Sequence, residues 1–70
     1  MSEPHGRAGV EPMLTTDEVA QICRTTPSSV RAWRHHGVGP PGFRVGKRVL
    51  YPRSGVVAWL DQQAKREQER

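Results

Sequence analysis

Arg31, Arg34 and His35 lie on one short stretch of the chain and Arg44, Lys47 and Arg48 on another, and no Asp or Glu falls in or between the two. Guanidinium and ammonium groups without carboxylate neighbours suit external anions, and a duplex presents such anions at close, regular spacing. Arginine also carries a fixed fork that can bond guanine O6 and N7 together, which makes Arg31 the candidate base-reading residue. Arg34 is the candidate for holding the backbone. Ser28 and Ser29 can donate to a phosphate or a base, the N-terminus of the helix they open favours an anion, and His35 can meet a phosphate or base edge. Other chemistry has little support. There is no Gly-rich phosphate loop and no Ser/His/Asp arrangement, and Cys23 with His5, His35 and His36 lacks the spacing of a zinc site. Adjacent His35 and His36 on a helix would diverge by about 100°. We therefore expect no enzyme, no metal, no cofactor and no small-molecule substrate.

The elements that position these groups are legible from their end signals. Thr26 suits an N-cap, Pro27 the first helical position and Gly37 a left-handed stop, which frames a helix over Thr26–Gly37. On that helix Val30, Trp33 and Gly37 share one face, while Ser28, Arg31, Ala32 and His35 share the opposite one. Upstream, Thr15-Thr16-Asp17-Glu18 matches a capping box, with Leu14 placed to staple onto Val19, and the helix it opens ends near Arg24-Thr25. In this reading Asp17 and Glu18 serve the helix start, and Cys23 is a small core residue. Two short helices joined by so tight a turn, the second polar on its outer face, have helix-turn-helix spacing.

Pro40 and Pro41 exclude helix after Gly37, and Phe43 to Tyr51 reads as a β-hairpin. A Gly46-Lys47 loop would suit a II′ turn and set Arg48 beside Phe43 and Val45. A Gly46-Lys47-Arg48 loop would gather Phe43, Val45, Val49 and Tyr51 on one face, and it is preferred because it buries no cation. Either way Lys47 stands at the tip. A last helix is expected from near Pro52–Ser54, with Val56, Val57, Leu60 and Ala64 on one stripe and Trp59 covering the core.

Composition agrees with a nucleic-acid partner. The net charge of +4 hides an asymmetry, because all seven acidic residues lie outside Val19–Leu60. That segment holds seven cations and so carries +7, whereas the remaining four cations and seven anions sum to −3. With 34% hydrophobic residues in 70, the core must be small and the domain marginally stable on its own. Cys23, the single cysteine, cannot form an intramolecular disulfide, and no apolar run is long enough for a signal peptide or a membrane span. A reduced, intracellular setting with no membrane partner is the expectation.

Leu14 to Ala20, Ser29-Val30-Arg31-Ala32-Trp33 with Gly37, Phe43 to Arg48, and Val57-Ala58-Trp59-Leu60 together resemble the MerR-like winged helix-turn-helix family of phage excisionases, most closely those of actinobacterial temperate phages. The resemblance covers about Met13 to Gln63. It implies a mainly α fold with a small β-hairpin: a helix-turn-helix, a two-stranded wing and a C-terminal helix. It further implies cooperative binding of double-stranded DNA beside an attachment site, DNA bending, and steering of a phage tyrosine integrase toward excision by an architectural protein that makes and breaks no bonds itself. Carried over, it puts Ser28, Ser29, Arg31, Arg34 and His35 in the major groove and Arg44, Lys47 and Arg48 on the wing, with Arg24 and Arg53 as possible backbone contacts. Ala32 stands where the family often has a second arginine. The implied location is the nucleoid, in the cytoplasm of a bacterial host. The alternative is a small transcriptional regulator of the same fold. The expected organisation is a flexible lead-in at 1–12, the DNA-binding domain at 13–63 and a polar tail at 64–70.

Overall fold

The computed structural model describes residues 11–69. In chain order it comprises β1 (Met13–Thr15), α1 (Thr16–Cys23), α2 (Pro27–His35), β2 (Phe43–Val45), β3 (Arg48–Pro52) and α3 (Arg53–Gln68). This is a mainly helical winged helix-turn-helix, with one addition to the expected plan. Met13–Thr15 pairs with β3, so the wing is not a free two-stranded arm but part of an antiparallel sheet of order β1-β3-β2. Three residues are too few to announce a strand by pattern, and its pairing is non-local.

Local signals explain the first two helices. The Thr15 side chain accepts from the Glu18 N–H at 3.2 Å, and the Glu18 carboxylate accepts from the Thr15 N–H at 2.9 Å, which completes the capping box. Thr26 accepts from the Ser29 N–H at 3.1 Å with Pro27 in the first turn. At the end of α2, Gly37 donates to the Arg34 carbonyl and Val38 to the Trp33 carbonyl around a Gly37 φ of 73°, a Schellman stop. The same pair of bonds closes α1, where Arg24 and Thr25 donate to Gln21 and Ala20. There the left-handed position, φ 59°, is held by Arg24 rather than by glycine.

The hairpin turns in two residues, which corrects the three-residue preference. Val45 pairs with Arg48, and the left-handed φ of 62° belongs to Gly46, as a II′ turn requires. This register puts Phe43, Val45, Arg48 and Leu50 on one face and Arg44, Val49 and Tyr51 on the other. The helices cover only the second face. Phe43 and Val45 are accordingly half exposed and outside the core, and Arg48 needs no burial because its face is open.

The core is Val19, Ala20, Val30, Tyr51 and Val56, flanked by Leu14, Cys23, Trp33, Val49 and Leu60. Tyr51 joins the layers, since β3 carries it inward against residues of all three helices. α3 contributes Val56 and Leu60 and sets Trp59 against Trp33 at 5.2 Å between ring centroids. The expected stripe is narrower than its spacing suggested, because Val57 and Ala64 are exposed. Val57 points about 100° away from its buried neighbour Val56, and Ala64 lies a turn beyond Leu60, the last residue of α3 packed on the core.

Pro52 ends β3 and gives α3 no side-chain cap. The cap comes from the other end of the chain, where the Pro12 carbonyl accepts from the Arg53 N–H at 3.1 Å and the Glu11 carboxylate from the Ser54 N–H at 3.3 Å. Within the expected lead-in, residues 1–10 lie outside the described residues, and the last two are tied to the domain in this way.

Candidate nucleic-acid interface

α2 presents Ser28, Arg31, Ala32, Arg34 and His35 to solvent, while Val30 is buried and Trp33 half-buried behind them. The wheel therefore sorted the residues of α2 correctly, with Arg34 exposed too, but Gly37, which it grouped with Val30 and Trp33, lies past the helix end and is exposed. Ser29 is half-buried, and its hydroxyl accepts from the Thr26 side chain at 3.1 Å, so one of its lone pairs already serves the cap. His35 and His36 meet edge to face at 5.3 Å between ring centres.

Two open hollows join this helix to the sheet. Arg31, Lys47 and Arg48 line the first, together with Thr15, Thr16, Asp17 and Val49. Arg31, Arg34, His35 and Arg44 line the second, with Thr16, Val49 and Tyr51 as its floor and wall. Arg31 is common to both, so the recognition-helix and wing groups form one continuous cationic surface. Sheet geometry explains the convergence: Arg44 and Val49 lie on the face covered by the helices, and Lys47 at the turn projects past the end of the sheet. A carboxylate-free pair of stretches far apart in sequence thus becomes one positive patch.

Other expected contacts stand apart from these hollows. Ser28 and Ser29 occupy the first turn of α2, and Arg24 is exposed in the α1–α2 turn. Arg53 opens α3 and lines a separate surface with Glu11, Pro12 and Asp61. Two groups that the charge pattern did not single out, Thr16 and Asp17, belong to the hollows. The capping box marked them as helix-start residues, but only the β1–β3 pairing carries that helix start to the wing.

Among the described residues no three His, Cys, Asp or Glu side chains are grouped to hold a metal ion, and no helix is long and apolar enough to cross a membrane. Cys23 is half-buried, and desolvation raises its thiol above the ordinary value, which keeps it in the unreactive protonated form. The acidic residue at the far end of the domain, Asp61, stands 3.8 Å from Lys65 one helical turn on, both well exposed.

No curated protein and no solved structure matches the chain. A family model described as a helix-turn-helix domain matches residues 13–64, which runs from the first residue of β1 through α3 almost to its end. The family includes excisionase-like DNA-binding proteins. With capped helices, a three-residue turn and a cationic outer face all within that match, the chain belongs to the helix-turn-helix domain family.

Proposed function

We propose that the protein is an architectural excisionase: it binds duplex DNA beside a phage attachment site, bends it, and directs a tyrosine integrase toward excision. Ser28, Ser29, Arg31, Arg34 and His35 enter the major groove. Arg44, Lys47 and Arg48 reach the adjacent minor groove or its flanking phosphates, with Arg24 and Arg53 as further backbone contacts. The observation that carries this reading is Arg31 standing in one hollow with Lys47 and Arg48 and in the next with Arg34, His35 and Arg44. The family's inclusion of excisionase-like proteins supports the finer assignment.

The footprint is small. If three to five phosphates are neutralised, log K falls against log salt with a slope of roughly −3 to −4.5, and one protomer alone binds weakly. Occupancy at useful concentrations then comes from neighbouring protomers on adjacent sites and from contact with the integrase. Engaging two grooves from one rigid surface favours a bent duplex, since bending brings more phosphate within reach of the cations.

The test is a footprint over a phage attachment region with the protein alone and with purified tyrosine integrase, coupled to a count of excised and integrated products. Adjacent cooperative protections and a shift toward excision are expected. Protection confined to a promoter, with no effect on the recombination products, would instead identify a transcriptional regulator of the same fold.

A further inference from the structure

Asp17 is the one carboxylate in the hollow that holds Arg31, Lys47 and Arg48. It is exposed, and it makes no hydrogen bond or ion pair with any described residue. Its neighbour Glu18 differs, because its carboxylate is engaged by the Thr15 N–H. An unpartnered acid lining a cationic hollow works against the attraction that the hollow supplies. Its favourable interaction with the first turn of α1 needs no exposure on this surface, because Glu18 in the same turn provides it too.

We infer that Asp17 is a specificity-determining residue of the DNA surface, one that penalises indiscriminate binding; the inference builds on the DNA-binding reading given above. An ionised carboxylate only accepts hydrogen bonds. Against a phosphate it meets like charge and gains nothing. Against the exocyclic amino group of a cytosine in the major groove it finds a donor, the pairing an acidic side chain can make with a base edge. Placements on random sequence leave Asp17 desolvated near phosphate, whereas a register that sets a donor opposite it recovers the loss. Its cost therefore falls chiefly on non-specific complexes, and the ratio of specific to non-specific affinity rises.

The experiment compares the full chain with Asp17→Asn, Asp17→Ser, Asp17→Glu and a control, Glu69→Gln, at the exposed C-terminal end of α3 where no contact is proposed, by fluorescence anisotropy on a mixed-sequence duplex across a salt series. Circular dichroism establishes that each variant is folded, and Asp17→Ser provides a second neutral side chain suited to the first helical turn. Neutral substitution at position 17 removes one unit of like charge near the phosphates and should tighten non-specific binding about fivefold at low salt. The gain should shrink as salt rises. Asp17→Glu and Glu69→Gln should match the wild type. Selection from a randomised duplex library should return a sharper consensus for the wild type than for Asp17→Asn. An Asp17→Asn protein that binds no tighter, an equal gain from Glu69→Gln, or equally sharp consensus sequences would each overturn the role of Asp17. A wild-type chain that binds no duplex at all would instead refute the DNA-binding reading itself, and this one with it.

Discussion

Replacing Arg24 by glycine should make the domain more stable while making it a poorer DNA binder. Arg24 sits at φ 59°, ψ 47°, the only non-glycine residue with positive φ among those described. A side chain there costs about 1–2 kcal/mol, from the close approach of Cβ to the following carbonyl. Glycine removes that strain but adds freedom to the unfolded chain, an offset of about 0.5–1 kcal/mol. At the middle of both ranges the difference is a net gain of about 0.75 kcal/mol, and in a domain this small that corresponds to a rise in Tm of about 3–6 °C. Arg24→Ala separates the two effects, since alanine keeps the strain and removes the guanidinium. Thermal unfolding followed by circular dichroism should show Arg24→Gly above the wild type and Arg24→Ala close to it. DNA titrations should show both variants weakened alike, because both lose the same cation from the proposed backbone contact. An Arg24→Gly protein that melts at or below the wild-type temperature, or an alanine variant that gains as much, would refute the strain argument.

Three further outcomes are expected. Lys47→Ala should weaken binding to every duplex and flatten the salt slope by about one unit, whereas Arg31→Ala should lose about 1–3 kcal/mol more on a selected site than on mixed sequence; salt-dependent titrations check both. Gly42→Ala should destabilise the domain by about 1–3 kcal/mol, because the new methyl would lie 2.6 Å from the ring of fully buried Tyr51 and 3.1 Å from the Leu50 carbonyl; chemical denaturation measures it. Cys23 should alkylate more slowly than a free cysteine near pH 8, since burial raises its thiol pKa and lowers the thiolate fraction, and the rate should recover only at higher pH or on unfolding.

Much of this molecule is written in short-range signals. Both helix starts, the Gly37 stop and the division of α2 into a Val30 side and an Arg31 side follow from residues within a turn or two of each other, and the structure has them all. What the sequence did not disclose depends on partners distant along the chain. Met13–Thr15 is a strand because β3 lies beside it, and the α3 cap is supplied by Glu11, 43 positions before the amide it accepts from. The hairpin register went the other way from the hydrophobic pattern, because Phe43 and Val45 suggest a core side and the helices cover the opposite face. The cationic residues were found from the charge distribution, the helical wheel and the hairpin pattern together. That Thr16 and Asp17 join them was not legible, since it takes the β1–β3 ladder to bring α1 to the wing.

That ladder has a mechanical consequence. β3 pairs with β2 over Arg48–Leu50 and with β1 over Leu50–Pro52, so the base of the wing is fastened on its second edge, and β1 runs directly into α1. A wing fastened in this manner does not swing independently of the helices; its tilt is settled when the chain folds. The entropy of aligning the two groove-seeking parts is then lost before any encounter with a duplex, and association has only whole-body motion and side-chain ordering left to overcome. Loosening β1, which supplies none of the proposed DNA contacts itself, would hand that alignment cost back to the binding step.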